Sequence, residues 1–350
     1  MDSRDAIIVG LASVLENLLQ DGRERGLYSG AAAAVSTPQG RAFATMGSLA
    51  FDDPTPVESD SLFDLASLTK TFTAATLVRL AELGLLNLDA RVQEILGLGE
   101  DAQDMTLSHL LLHTSGMPAE SRIWRERATL VPDRVQRLLS VQLESPVGAV
   151  HRYSCIGYIA AGIVAERVTG ESLQVLIRRH LLEPLGLDSV TFGPVDPARA
   201  VATEEQPWAH RGPVRGEVHD ELSWYLGGRV GNAGLFATAP DVLELVESLL
   251  DTRMFSQESR RLLTTNLLTP RQHAPYGQAM GVRIEDRELS LGSGALGHPG
   301  FTGTMWLALP DSRVAAVLLT NRVHPERHRV DLGPFRRRFS SVVAAIAEQQ

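Results

Sequence analysis

The chain has 350 residues and a mass of 38.0 kDa, with 44% hydrophobic and 21% charged residues, a composition that suits folded protein and argues against disorder. A net charge of -9 and a pI near 5.6 supply no basic field for a phosphate backbone, so nucleic acid is excluded as a partner. No apolar run approaches the roughly 18 residues of a membrane span, and the single cysteine, Cys155, leaves no internal disulfide and no cysteine-based metal site.

In chain order, residues 4–20 carry an amphipathic helical pattern interrupted by Glu16, Asn17 and Gln20, which suits a helix rather than a secretory signal, so a cytoplasmic location is expected. Two β-rich stretches, 28–36 and 41–49, are separated by Thr37, Pro38, Gln39 and Gly40 and read as a hairpin. After an acidic, proline-containing loop at 51–60, residues 67–83 show helical spacing. Phe72, Ala75, Thr76, Leu80 and Leu83 fall on one face, and Gly84 stops the helix. Residues 89–275 are mainly helical in pattern, with loops at 113–121, 144–153, 193–220 and 226–235. Strand character returns at 278–285, 302–309 and 314–320, with a turn at Pro310, Asp311 and Ser312, and a last helix spans about 333–348.

Strands at both ends with helices between predict one mixed α/β unit over 1–350. Its α/β subdomain is assembled from 1–88 and 276–350, and a mainly helical subdomain covers 89–275.

Lys and Arg total 33, yet the only lysine is Lys70. A guanidinium cannot lose its proton in a protein, whereas a desolvated amine can, so a lone lysine three residues after Ser67 suggests a position where a titrating amine is needed. Residues three apart on a helix share a side, which puts the Ser67 hydroxyl beside the Lys70 amine. A serine hydroxyl is a weak nucleophile unless a base lies within hydrogen-bond reach. The apolar neighbours Ala66, Leu68 and Phe72 predict that burial depresses the Lys70 pKa. The competing reading makes Ser67 a helix cap and Lys70 a surface residue.

Ser67-Leu68-Thr69-Lys70, Tyr153-Ser154-Cys155 within "YSCIGYIAAGIVAERVTG", and His298-Pro299-Gly300 followed by Phe301-Thr302-Gly303-Thr304 occur in this order. They are joined by "MTLSHLLLHTSGMP" (105–118) and "LLEPLGLDSVTF" (181–192). Together they resemble the serine β-lactamase, penicillin-recognising and carboxylesterase superfamily, above all its class C-like branch, over about residues 27–321. The resemblance implies a β-lactamase/transpeptidase-like fold, an antiparallel sheet with flanking helices beside an all-helical subdomain. It implies Ser67 as nucleophile, Lys70 and Tyr153 as the groups that share its proton, and the Ser67 and Phe301 N–H groups as an oxyanion hole. Gly300 lies in the third motif, and His298 lines the opposite wall, within reach of the Tyr153 oxygen or the substrate. The substrate is then a small ester, β-lactam or peptide, with no cofactor and no metal.

Cys155 departs from the family pattern, which has asparagine there. A thiol is a weak donor and acceptor, so recognition of an amide-bearing substrate should weaken and simple esters should be favoured. Cys155 could equally be an inert, packed thiol. The alternatives are an acyltransferase of the same fold and a silent or slowly acylating penicillin-recognising sensor. His109 and His113, four apart, have no third ligand for a metal, and His113 is expected to bond the turn before Gly116. His219, Asp220 and Glu221 are expected in a long loop bordering the cleft.

Overall fold

A computed structural model describes residues 3–125, 131–289 and 292–349. Ten strands are present among them: β1 (Gly30–Thr37), β2 (Gly40–Gly47), β3 (Phe63–Asp64), β4 (Thr191–Phe192), β5 (Leu235–Ala237), β6 (Gly277–Ala279), β7 (Val282–Ile284), β8 (Leu296–Pro299), β9 (Met305–Leu309) and β10 (Val314–Thr320). Seven form an antiparallel sheet in the order β2-β1-β10-β9-β8-β7-β6, so strands from the two ends of the chain meet at β1 and β10, with Ala31 opposite Thr320. The mixed α/β architecture, an antiparallel sheet assembled from both ends of the chain, is the one the sequence predicts.

Both faces of this sheet are covered. In β1 every residue is buried, and successive side chains point to opposite faces. Ala31, Ala33 and Val35 join Leu15, Leu19, Phe335 and Phe339 from helices α1 (Ser3–Glu24) and α5 (Gly333–Ala347), whereas Ala32 and Ala34 join the larger core on the other side. The alanines let helices approach closely on both faces. The larger core includes α2 (Thr69–Glu82), α3 (Cys155–Thr169) and α4 (Ala239–Leu250).

Helix α2 is buried on all sides from Thr69 to Val78, a wider burial than the single apolar face in its sequence, while Leu83 is exposed. Its threonines make this possible, because a buried hydroxyl needs a partner. Thr71 Oγ1 donates to the Gly281 carbonyl and Thr73 Oγ1 to the Gly231 carbonyl, both at 2.9 Å. Three further expectations are corrected. The strand expected at 278–285 is the β6–β7 hairpin, turned at Gly281 with φ +75°. The strand expected from 302 begins at Met305, after a turn. The 89–275 region also contains β4 and β5, which pair with β3 in a second, three-stranded sheet. That small sheet ends at Asp64, three residues before Ser67. Among the described residues no helix is long and apolar enough to cross a membrane.

Candidate active site

Ser67 sits on a 3-10 turn, Ala66–Leu68, that leads directly into α2. The turn is held from three directions. Asp64 Oδ1 accepts the Ala66 N–H at 2.7 Å, Thr302 Oγ1 donates to the Asp64 carbonyl at 2.8 Å, and Thr304 Oγ1 donates to the Leu65 carbonyl at 3.0 Å. Ala66 itself has φ +46°, in the left-handed region that costs an alanine energy. Gly300 packs against the same turn: a Cβ there would lie 1.9 Å from Thr304 Oγ1 and 2.7 Å from the Leu65 oxygen. The third-motif segment is thereby set in close contact with the backbone that presents Ser67.

Lys70 is completely buried beneath Ser67. Its Nζ lies 3.0 Å from Ser67 Oγ, 3.1 Å from the Asn232 carbonyl oxygen and 3.5 Å from Cys155 Sγ, and 4.9 Å from the centre of the Tyr153 ring. Three partners match the three protons of an ammonium. Burial pulls the Lys70 pKa down, but the Cys155 sulfur and the Tyr153 oxygen pull it up, and the balance is above the ordinary lysine value. The expected depression is therefore corrected: apolar sequence neighbours do not describe a site whose polar partners come from distant segments. Burial pushes the Cys155 thiol up, against the opposing pull of Lys70.

Tyr153 precedes α3, whose N-cap Ser154 accepts the Gly157 N–H at 3.0 Å. Arg283 stacks on the Tyr153 ring at 4.9 Å and His298 lies 6.0 Å from it, centre to centre. His298, on β8, is buried, and its Nδ1 is 2.8 Å from the Pro299 carbonyl oxygen, so Nδ1 carries the proton and Nε2 is an acceptor. Burial first, then Arg283 and Lys70, hold it well below the ordinary histidine value, so the ring is neutral.

Ser67, Tyr153, Cys155, Gly300 and Phe301 all line one cavity of about 350 Å³, with Lys70 and His298 behind its wall. His219, Asp220 and Glu221 line it too. His219 is buried with Nε2 2.7 Å from Glu204, and Asp220 caps the short helix 221–225 by accepting the Ser223 N–H at 2.7 Å. His109 is spent on its own helix, where Nδ1 accepts the Thr106 N–H at 3.1 Å. His113 bonds the second motif rather than the turn before Gly116: its Nδ1 accepts the Ser154 N–H at 3.0 Å.

Several contributors escape the sequence reading. Asn232 acts through its backbone oxygen, which no side-chain pattern marks. Asp64 has no motif around it. Four arginines, Arg283, Arg322, Arg327 and Arg336, line the cavity from three separate elements. Arg322 and Arg327 stack on Phe301 at 4.7 and 5.4 Å, and Arg336 donates to the Gly300 and Thr304 carbonyls.

A family model described as beta-lactamase matches residues 15–339. A putative D-alanyl-D-alanine carboxypeptidase of Escherichia coli K12 is 29% identical over 321 residues, covering 79% of this chain and 73% of that protein. An N-acetylmuramyl-L-alanine amidase of Bacillus subtilis strain 168 is 29% identical over 309 residues, covering 77% of this chain and 70% of that protein. Among solved structures, EstCE1, described as a hydrolase with promiscuous acyltransferase activity, shares the fold with a TM-score of 0.78 at 20% identity, over 96% of this chain and 99% of that one.

Proposed function

Because this chain belongs to the beta-lactamase family, we propose that it is a serine hydrolase that forms an acyl-enzyme on Ser67 and prefers simple esters to β-lactams and D-alanyl peptides. The observation that carries the reading is the 3.0 Å contact between the buried Lys70 amine and the Ser67 hydroxyl. We read the cavity as a cleft between an α/β part, 1–88 with 276–350, and a helical part, 89–275.

In the acylation step Ser67 Oγ attacks the ester carbonyl carbon and gives up its proton to the Lys70 amine in its free-base form, with the Tyr153 oxygen as the second proton carrier. The carbonyl oxygen becomes an oxyanion and is held by the N–H groups of Ser67 and Phe301, a donor pair of a kind worth about 3 kcal/mol per donor in related sites. The bond to the leaving alkoxide breaks, and the alkoxide takes the proton back through Tyr153. Water then attacks the acyl carbon of the Ser67 ester and passes its proton along the same route; the bond from that carbon to Ser67 Oγ breaks, the carboxylic acid leaves, and Oγ takes the proton to restore the hydroxyl.

The ester preference rests on Cys155. Its sulfur keeps a contact with Lys70 at 3.5 Å, but offers no amide to bond a substrate's acyl-amide group. A second reading, cleavage of a D-alanyl peptide, is favoured by the name of the Escherichia coli relative. The deciding experiment is turnover by purified protein of a short-chain p-nitrophenyl ester, a cephalosporin and a D-alanyl-D-alanine peptide, with mass spectrometry of Ser67 after fluorophosphonate treatment. Ester efficiency well above the other two supports the proposal, and comparable cephalosporin or peptide turnover overturns the preference. A stable β-lactam adduct without turnover of any substrate favours a sensor, and no adduct on Ser67 removes the nucleophile.

A further inference from the structure

His113 lies outside the cavity and takes no part in the steps above, yet it is buried, with 1% of its surface exposed, and adopts a left-handed backbone, φ +58°. It grips the chain on both sides of Tyr153. Its carbonyl oxygen accepts the Arg152 N–H at 2.7 Å and its Nδ1 accepts the Ser154 N–H at 3.0 Å. Its ring lies 4.5 Å from the Tyr153 ring and 5.0 Å from the Tyr158 ring, centre to centre, tilted by 37° and 38°. The same segment continues the grip, because the Ala119 carbonyl accepts the Cys155 N–H at 2.8 Å and the Pro118 carbonyl accepts from Ser154 Oγ at 2.6 Å.

Because Nδ1 accepts a hydrogen bond, the ring proton sits on Nε2, which is buried with no hydrogen-bond partner among the described residues. A leucine in this place would fill the space without stranding a donor. It could not accept the Ser154 N–H.

From this geometry we infer that His113 is a positioning residue for Tyr153, one that fixes the phenol against Lys70 and Ser67 by clamping the backbone on either side of it, at the Arg152 and Ser154 N–H groups. The inference rests on the role given to Tyr153 above. It needs two properties at position 113: an acceptor where Nδ1 stands, and tolerance of positive φ. Asparagine has both, with Oδ1 close to the Nδ1 position, whereas glutamine carries its oxygen one bond further and leucine has no acceptor.

The test measures kcat, KM, thermal midpoint and the rate of fluorophosphonate labelling of Ser67 for His113→Asn, His113→Gln and His113→Leu, each with and without Tyr153→Phe. His113→Gln and His113→Leu should lose roughly 10- to 100-fold in kcat and in labelling rate with KM within about threefold, and His113→Asn should stay within about fivefold of wild type. In the Tyr153→Phe background His113→Leu should cost less than about twofold, since the residue through which it acts is already disabled. The inference is overturned if His113→Leu keeps full kcat, if His113→Asn falls as far as His113→Leu, or if the loss is undiminished in the Tyr153→Phe background. Should the leucine variant fail to fold, the asparagine and glutamine pair decides alone. A fully active Tyr153→Phe enzyme would remove the proton-carrying role of Tyr153 itself, whereas an inactive Tyr153→Phe beside an intact His113→Leu removes only the positioning role of His113.

Discussion

Asp64 holds Ala66 in the left-handed backbone that presents Ser67: its Oδ1 accepts the Ala66 N–H at 2.7 Å while its Oδ2 accepts the His219 N–H at 2.6 Å. One carboxylate therefore ties the turn before the nucleophile to the loop that borders the cavity. Burial pushes the Asp64 pKa up, so the two N–H donors only partly offset the loss of water. An asparagine would keep one acceptor and aim an N–H₂ at the second donor. Asp64→Asn should cost about 1–3 kcal/mol of stability, read from a urea midpoint, and lower kcat with it. Unchanged midpoint and kcat would show that the turn holds its shape without the carboxylate.

The close approach of Gly300 to Leu65 gives a second prediction. In Gly300→Ala the new Cβ would start 1.9 Å from Thr304 Oγ1 and 2.7 Å from the Leu65 oxygen, so the third-motif segment must move away from the Ser67 turn. The stability loss should be about 1–3 kcal/mol. The loss in kcat should be larger in proportion, roughly 100-fold, because the Phe301 N–H moves relative to the developing oxyanion. A variant that is less stable but fully active would show that Phe301 is not an oxyanion donor.

These two positions illustrate what the sequence makes legible. Ser67 and Lys70 are three residues apart on one helical turn, so local geometry alone brings them together, and the strands at the two chain ends predict the sheet that β1 and β10 close. Lys70's environment is not local. Its hydrogen-bond partners Asn232 and Cys155 stand 162 and 85 residues away, and the Cys155 sulfur together with the Tyr153 oxygen reverses the direction of the pKa shift that the flanking apolar residues suggest. Strand β8 spans four residues and ends on Pro299, too short for a period-2 pattern to register. The cavity arginines have no common spacing, and Asp64 works through backbone donors that no side-chain motif records.

Glu204 sets a pH window for stability. Burial raises its pKa, but hydrogen bonds from His219 and Arg327 dominate together and bring it from the ordinary 4.5 to about 2. A carboxyl whose folded pKa is depressed stabilises the fold fully above the unfolded value and loses that contribution as pH falls through the folded one. The urea midpoint should therefore fall between pH 4.5 and about 2, and Glu204→Gln, less stable at neutral pH, should show a flatter profile over that interval. Parallel profiles for the two proteins would assign the acid sensitivity to other groups.

Lys70→Arg keeps a positive charge but removes an amine that can lose its proton. Activity should drop by roughly two to four orders of magnitude. In the wild type, the free-base fraction of Lys70 is small at neutral pH, since the Cys155 sulfur and Tyr153 oxygen outweigh burial and hold its pKa above the ordinary value. kcat/KM should then climb with pH well into the alkaline range. A plateau reached near neutrality, or an arginine variant of wild-type activity, would mean that another group takes the Ser67 proton.

Cys155 is where substrate class should respond to a single change. Its sulfur lines the cavity and touches Lys70, so the position faces both substrate and proton carrier. Cys155→Asn would restore an amide that can bond the Lys70 amine through its oxygen and a substrate acyl-amide through its nitrogen. One added hydrogen bond that forms with amide substrates and not with plain esters should raise the ratio of cephalosporin to p-nitrophenyl ester efficiency by about tenfold. The ratio is the informative quantity, because a disturbance of Lys70 would lower both activities together and leave it unchanged. An unaltered ratio with both activities retained would place substrate choice elsewhere in the cavity, with the arginines around Phe301 as the next positions to vary.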